Sequence, residues 1–107
     1  MTLENFRLLV SSGRFVLLDF YAVWCGPCKA MHPVLDAVEA QLGATLDVVR
    51  IDIDNHQNHE VVDFFRINAV PTLILYFEGR QLWRTSGVMS AETLVEELRR
   101  QERIAVY

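Results

Sequence analysis

One segment constrains the fold of this 107-residue chain more than any other. An apolar run, Phe15-Val16-Leu17-Leu18-Asp19-Phe20-Tyr21-Ala22-Val23, passes straight into Trp24-Cys25-Gly26-Pro27-Cys28 and then into a stretch with helical spacing. Phe15 to Tyr21 is apolar on both faces except at Asp19, the pattern of a strand buried in the middle of a sheet. Met31, Val34, Leu35, Val38 and Leu42 then recur at i, i+3, i+4, i+7, the inward stripe of a helix running from the cysteines to Gly43. Pro33 falls inside that helix and should kink it.

A strand-to-helix junction places a Cys-x-x-Cys pair where a dithiol/disulfide centre needs it. The first thiol meets unpaired backbone N–H groups and the positive end of the helix dipole, both of which favour a thiolate. The second lies one turn on, within reach of a mixed disulfide formed at the first. Pro27 suits the first helical turn, where no N–H is required, and stiffens the loop between the sulfurs.

A chain of this length is expected to form one domain, residues 1–107, with a core that needs no metal or disulfide staples. Apolar residues make up 51% of it, which argues against disorder. A net charge of −4, with basic residues scattered except for Arg99, Arg100 and Arg103, argues against a nucleic-acid partner. No apolar stretch approaches the roughly 18 residues of a membrane span. Met1 to Phe6 lacks the basic and apolar regions of a signal peptide. The only two cysteines share one motif, unlike a secreted disulfide framework. The expected compartment is the cytoplasm, without membrane attachment.

Elsewhere the periodicity predicts a short helix with Leu3, Phe6, Leu9 and Val10 inward, capped by Thr2 and ended at Ser11-Ser12-Gly13. Leu46 to Ile53 reads as a second strand, alternating Val49, Ile51 and Ile53 with polar residues. Asn55 to Asn58 is expected as a loop, with Asn58 capping a short helix that carries Val61, Val62, Phe64 and Phe65. Thr72–Phe77 and Gln81–Ser86 read as strands joined by the hairpin signal Glu78-Gly79-Arg80. Ser90 should cap a last helix with Ala91, Leu94, Val95 and Leu98 inward and a Glu96–Arg100 pair outward. The order α-β-α-β-α-β-β-α implies an α/β fold, a mixed sheet with helices on both faces.

Taken together, these residues resemble the thioredoxin family over Phe6 to about Arg100. Val16 to Phe20 is similar to the family's central strand with its buried aspartate, and Trp24 to Lys29 to its active-site motif. Pro33 matches a kinking proline, Val70-Pro71-Thr72 a cis-proline turn, and Gly79 and Gly87 fall where the family has glycines. The resemblance implies a thioredoxin fold and a cytosolic protein-disulfide reductase. Four departures stand out. Only Met1 precedes the first helix, so the family's first strand is missing and a central sheet of four strands is expected. That sheet should run Leu46–Ile53, Phe15–Tyr21, Thr72–Phe77, Gln81–Ser86. Arg50 stands where many members have lysine, Arg66 and Asn68 replace residues that are often Gly and Arg, and Asp54 to Phe65 is slightly long. The exposed Leu46–Ile53 edge carries Asp47, Arg50 and Asp52, which should keep the protein a monomer. A fifth strand formed by Ile104 to Tyr107 would overturn that arrangement.

The site residues follow. Cys25 is the nucleophile, exposed and thiolate-stabilised, below the ordinary thiol value near 8.5. Cys28 is the deeper resolving thiol. Asp19, desolvated among Val16, Leu17, Leu18, Phe20 and Tyr21, should hold a raised pKa and accept the Cys28 proton through a water. The competing reading is a structural ion pair between Asp19 and Arg50, which would only limit that rise. Lys29 and Arg50 are the charges expected to tune the site. A cis bond at Pro71 would set the Val70 backbone beside the sulfurs, ready to pair with an extended substrate. Trp24, Gly26, Pro27, Val70, Gly87 and Val88 would then form a flat apolar dock around it.

His56 and His59 invite a zinc reading with the cysteines, but their spacing does not match a zinc finger, and Pro27 and Pro71 would crowd a metal. No metal is expected, and His32 reads as a solvated side chain. No Gly-x-Gly-x-x-Gly fingerprint is present, so no bound cofactor is expected. By resemblance, electrons come from an external NADPH-dependent flavoprotein reductase, and the substrates are protein disulfides. Two rivals remain: a thiol oxidase or disulfide isomerase on the same fold, and a non-enzymatic binding module. Gly-Pro between the cysteines resembles the reductant type, since oxidants and isomerases usually carry His before the second cysteine.

Overall fold

The Thr2 hydroxyl accepts a hydrogen bond from the Asn5 N–H at 3.1 Å and opens helix α1 (Leu3–Val10), which turns Phe6 and Val10 inward. The computed structural model describes residues 1–106. After α1 come β1 (Phe15–Tyr21), α2 (Gly26–Leu42), β2 (Leu46–Asp52), α3 (His59–Phe64), β3 (Thr72–Phe77), β4 (Arg80–Ser86) and α4 (Ala91–Val106). Pro33 lies inside α2 without ending it.

The sheet has four strands in the order β2-β1-β3-β4. β1 and β2 are parallel, while β3 runs antiparallel to both β1 and β4. This is the four-strand arrangement expected. Because side chains alternate along a strand, β1 builds two cores. Phe15 and Leu17 meet Met31, Leu35 and Val38 of α2 and Leu94 and Leu98 of α4. Val16, Leu18 and Phe20 meet Phe6 and Val10 of α1 and Val61 of α3. Asp19 is the odd-numbered, polar member of the first set, so it lies on the α2 side, completely buried.

The β3–β4 hairpin turns on Glu78 and Gly79, with φ of 50° and 77°. Two successive positive φ values match the turn whose twist suits a two-residue hairpin. The Gly79 N–H donates to the Val10 carbonyl at 3.0 Å, tying the turn to α1.

Local details differ from expectation where competing partners exist. Residues His56–Asn58 form a 3-10 turn instead of a loop. Asn58 precedes α3 without a side-chain cap, because its Oδ1 accepts from the Met1 nitrogen and its Nδ2 donates to the Asp52 carbonyl. Phe65 is buried just past α3, whereas Phe64 is exposed. Ser90 caps the chain's last helix as expected, its hydroxyl accepting from the Thr93 N–H at 3.2 Å. Arg100 pairs with Glu97 and not Glu96, since both i+3 and i+4 neighbours lie within reach on a helix. Ile104 to Val106 continue α4 and add no strand; Tyr107 lies outside the described residues. Among the described residues, no helix is long and apolar enough to cross a membrane.

Candidate active site

β1 ends at Tyr21, and the chain turns so that the Cys25 N–H donates to the Ala22 carbonyl at 3.2 Å. Cys25 then occupies the cap position of α2 with extended backbone, and Pro27 falls in the first turn. The Cys25 sulfur accepts a hydrogen bond from the Cys28 N–H at 3.1 Å. A capping sulfur satisfies one of the helix's orphan donors and gains the dipole's positive end in return. Cys25 and Cys28 are joined as a disulfide.

Cys25 is less open than the sequence suggests. It is 4% exposed against 1% for Cys28, so the order of depth is as expected but both sulfurs are buried. Ala22, Tyr21, Ile53 and Val70 pack around the pair. The Val70–Pro71 peptide is cis, and the Val70 carbonyl oxygen lies 3.7 Å from the Cys25 sulfur.

Beside the sulfur opens a cleft of about 530 Å³ lined by Trp24, Cys25, Gly26, Pro27, Ile53, Ile67, Asn68, Ala69 and Val70. Trp24 is 67% exposed, so it serves as a wall of this cleft and not as core. Its indole N–H donates to Asp54 Oδ2 at 2.8 Å, which fixes the ring's direction. Pro71 is buried behind Val70. Gly87 and Val88 are not among the walls. Gly87 instead donates its N–H to the Pro71 carbonyl at 3.0 Å, and Val88 is exposed nearby in sequence.

As site residues, Ile53, Asp54, Ile67, Asn68 and Ala69 escaped the sequence reading. The last three immediately precede the proline turn, and that adjacency was a usable signal. Ile53 and Asp54 reach the site because the Ile53 N–H donates to the Tyr21 carbonyl at 2.9 Å, a contact between strand ends that no local pattern announces.

On the α2 side of the sheet, both Asp19 carboxylate oxygens are buried and have no hydrogen-bond partner among the described residues. Burial pushes the Asp19 pKa up to about 6 from the ordinary 3.8, against the opposing pull of His32 and Arg50. The Asp19–Arg50 ion pair considered from sequence does not form. Arg50 faces Asp19 directly across the β1–β2 register, but its guanidinium donates at 2.8 Å to Asp36 and at 2.8 Å to Glu39, both on α2. His32 is half-buried instead of solvated, with Nδ1 3.2 Å from Arg50 Nη1 and its ring against Tyr21. Lys29 is exposed and forms no ion pair among the described residues. His56 and His59 are both exposed, His59 Nδ1 lying 2.9 Å from the His56 carbonyl. Among the described residues, no three His, Cys, Asp or Glu side chains are grouped to hold a metal ion.

The chain can be set beside known proteins on this geometry. The Thioredoxin family model matches residues 1–100. A thioredoxin-like protein of Synechocystis is 38% identical over 92 residues, 86% of this chain and 86% of its own length. The thioredoxin of Chlamydia caviae is 36% identical over 92 residues, covering 86% of each chain. Mitochondrial thioredoxin 3 of Saccharomyces cerevisiae, in its oxidized form, superposes with a TM-score of 0.78 at 28% identity, over 92% of this chain and 89% of that one. With its paired cysteines at the head of α2, the fold and these relatives agree on one conclusion: the chain belongs to the Thioredoxin family, and its disulfide-forming pair supports thiol–disulfide oxidoreductase activity.

Proposed function

We propose that this chain is a protein-disulfide reductase, acting as a single domain of residues 1–107. The observation that carries the reading is the Cys28 N–H directed at the Cys25 sulfur, beside the open Trp24–Val70 cleft. In the reduced protein the same N–H and the helix end stabilise a Cys25 thiolate. That thiolate attacks one sulfur of a substrate disulfide; the other substrate sulfur leaves as a thiolate and takes a proton from water. Cys28 then loses its proton to the Asp19 carboxylate and attacks the Cys25 sulfur. The Cys25–Cys28 disulfide forms, the second substrate thiol departs, and two electrons have passed from the dithiol to the substrate.

Asp19 suits this role because burial keeps its carboxyl basic enough to hold a proton near neutrality. The Val70 backbone pairs with an extended substrate segment, and Trp24, Gly26 and Pro27 supply apolar contact beside the sulfur. Regeneration is by an external NADPH-dependent flavoprotein reductase in a reducing compartment such as the cytoplasm, and the chain itself holds no cofactor.

Direction is the point to test. Each 30 mV in a two-electron couple is about 1.4 kcal/mol, so thiolate stability alone can turn a reductant into an oxidant. Equilibration of the protein with glutathione buffers, read by trapping free thiols, should give a pair more reducing than glutathione. A pair that stays reduced in oxidising glutathione would overturn the reductase reading in favour of an oxidase or isomerase.

A further inference from the structure

Arg50 and Asp19 lie opposite each other on adjacent parallel strands, and both face α2. An arginine placed there would ordinarily reach across and neutralise the buried carboxylate. It does not, because one stripe of α2 holds it elsewhere. His32, Asp36 and Glu39 sit at i, i+4 and i+7, so they share a helix face and continue the line begun by Cys28. Asp36 and Glu39 each accept from Arg50 Nη2 at 2.8 Å. The His32 Nδ1 lies 3.2 Å from Nη1, and in the neutral tautomer whose Nδ1 carries no proton it accepts from the guanidinium as well. Asp36 and Glu39, with His32 beside them, therefore engage the guanidinium from one helix, and both Asp19 oxygens have no partner among the described residues.

We propose that Asp36 and Glu39, assisted by His32, are positioning residues for the redox reaction: they clamp Arg50 onto α2 and so keep the Asp19 carboxylate free to receive the Cys28 proton. The part that concerns the Cys28 proton rests on the reductase mechanism above; the clamp itself does not. The groups around Asp19 bear this out. β2 brings Arg50 opposite Asp19, and α2 brings His32, Asp36 and Glu39 against that arginine. β3 sets Leu73 opposite Asp19, and the inward residues of α4 are Leu94, Val95 and Leu98. Among the described residues, Arg50 is thus the permanent cation that acts on Asp19, and where it points bears on how basic the carboxylate stays. Burial disfavours its own charge, but the bonds to Asp36 and Glu39 outweigh that and raise its pKa, as expected of a guanidinium held by both carboxylates.

The test is a carboxyl carbon-13 NMR titration of Asp19 in the oxidised protein. Four proteins are compared: wild type, Asp36→Asn with Glu39→Gln, Arg50→Met, and all three changes together. Released from α2, Arg50 should swing to Asp19 and lower its midpoint by about one pH unit, the low end of what a neighbouring cation does to a carboxylate. In the Arg50→Met background, the same two α2 substitutions should leave the midpoint where it was. An unchanged midpoint in the first comparison overturns the clamp. So does an equal shift in both backgrounds, because the carboxylates would then act on Asp19 directly. Glu39→Gln alone, at an exposed position, provides a milder variant with a smaller shift in the same direction. Resolution of a Cys25 mixed disulfide, followed against pH in the same proteins, separates the two ideas. A midpoint that moves while the rate profile stays fixed upholds the clamp and removes Asp19 from the proton transfer.

Discussion

The amide N–H of Cys28 points at the sulfur of Cys25 across 3.1 Å, so the backbone of the second cysteine supports the sulfur of the first. Both sulfurs are buried, which leaves this bond and the helix end, more than exposure, to set them apart. In the reduced protein, alkylation with less than one equivalent of iodoacetamide should label Cys25 at least tenfold over Cys28, read by peptide mass mapping. Equal labelling would count against the assigned roles. Cys28→Ser should trap substrates as mixed disulfides on Cys25, and Cys25→Ser should trap none.

Asp19 makes folding pH-dependent with a definite sign. Its pKa is about 6 in the folded protein against the ordinary 3.8, so the charged form is disfavoured by folding. Well below pH 3.8 the group is protonated in both states and contributes nothing. As pH rises from 3.8 to 6 the unfolded state ionises and the folded state does not, so stability falls by about 3 kcal/mol, and above pH 6 the loss is complete and constant. Asp19→Asn removes that penalty and leaves an uncharged group of the same shape. Its stability relative to wild type should therefore climb by about 3 kcal/mol between about pH 3 and pH 7 and stay level above that, measured by urea unfolding of the oxidised proteins. The same variant should slow mixed-disulfide resolution. A stability difference that does not change with pH would mean that the Asp19 pKa is the same in the folded and unfolded states, so that burial does not raise it.

Arg66 holds φ at 50°, a left-handed conformation that costs a residue with a side chain about 1–2 kcal/mol. Arg66→Gly should relieve it and raise stability by about 0.5–1 kcal/mol, after the greater entropy of the unfolded glycine chain is counted. Gly87, at φ 97°, is the converse case. A methyl group there meets nothing within 4 Å, so the loss from Gly87→Ala would come from the backbone alone. Urea midpoints moving in opposite directions for the two variants would bear this out; a destabilised Arg66→Gly would show that the arginine side chain has a role of its own.

β2 lies at one edge of the sheet, with backbone groups on its outer side open to another strand. Asp47 is paired to Arg14 at 2.9 Å and Arg50 to α2, so charges are fixed at both ends of the strand's centre. Sedimentation across a concentration series should find a monomer at micromolar concentration. A tight dimer would mean that these charges do not protect the edge, and Val49→Lys should then dissolve it.

Much of this protein is legible in its sequence because the determining interactions are short in range. The buried run before Trp24, the 3.6-residue stripe after Cys28, the caps at Thr2 and Ser90 and the Glu78-Gly79 hairpin each depend on residues a few positions apart. The cysteine pair is of the same kind, since one helical turn suffices to bring Cys28 under Cys25. Tertiary structure alone decided the rest. Whether Arg50 neutralises Asp19 or binds Asp36 and Glu39 is a choice among acceptors on two elements, all within an arginine's reach. The far wall of the cleft, from Ile53 to Ile67 and Ala69, exists because the end of β2 and the turn before Pro71 are folded over the same sulfur. The burial of Cys25 follows from that closure. Periodicity and capping specify which element forms; only the packed assembly specifies which of several reachable partners a long or buried side chain meets, because that choice depends on distances between segments far apart in the chain.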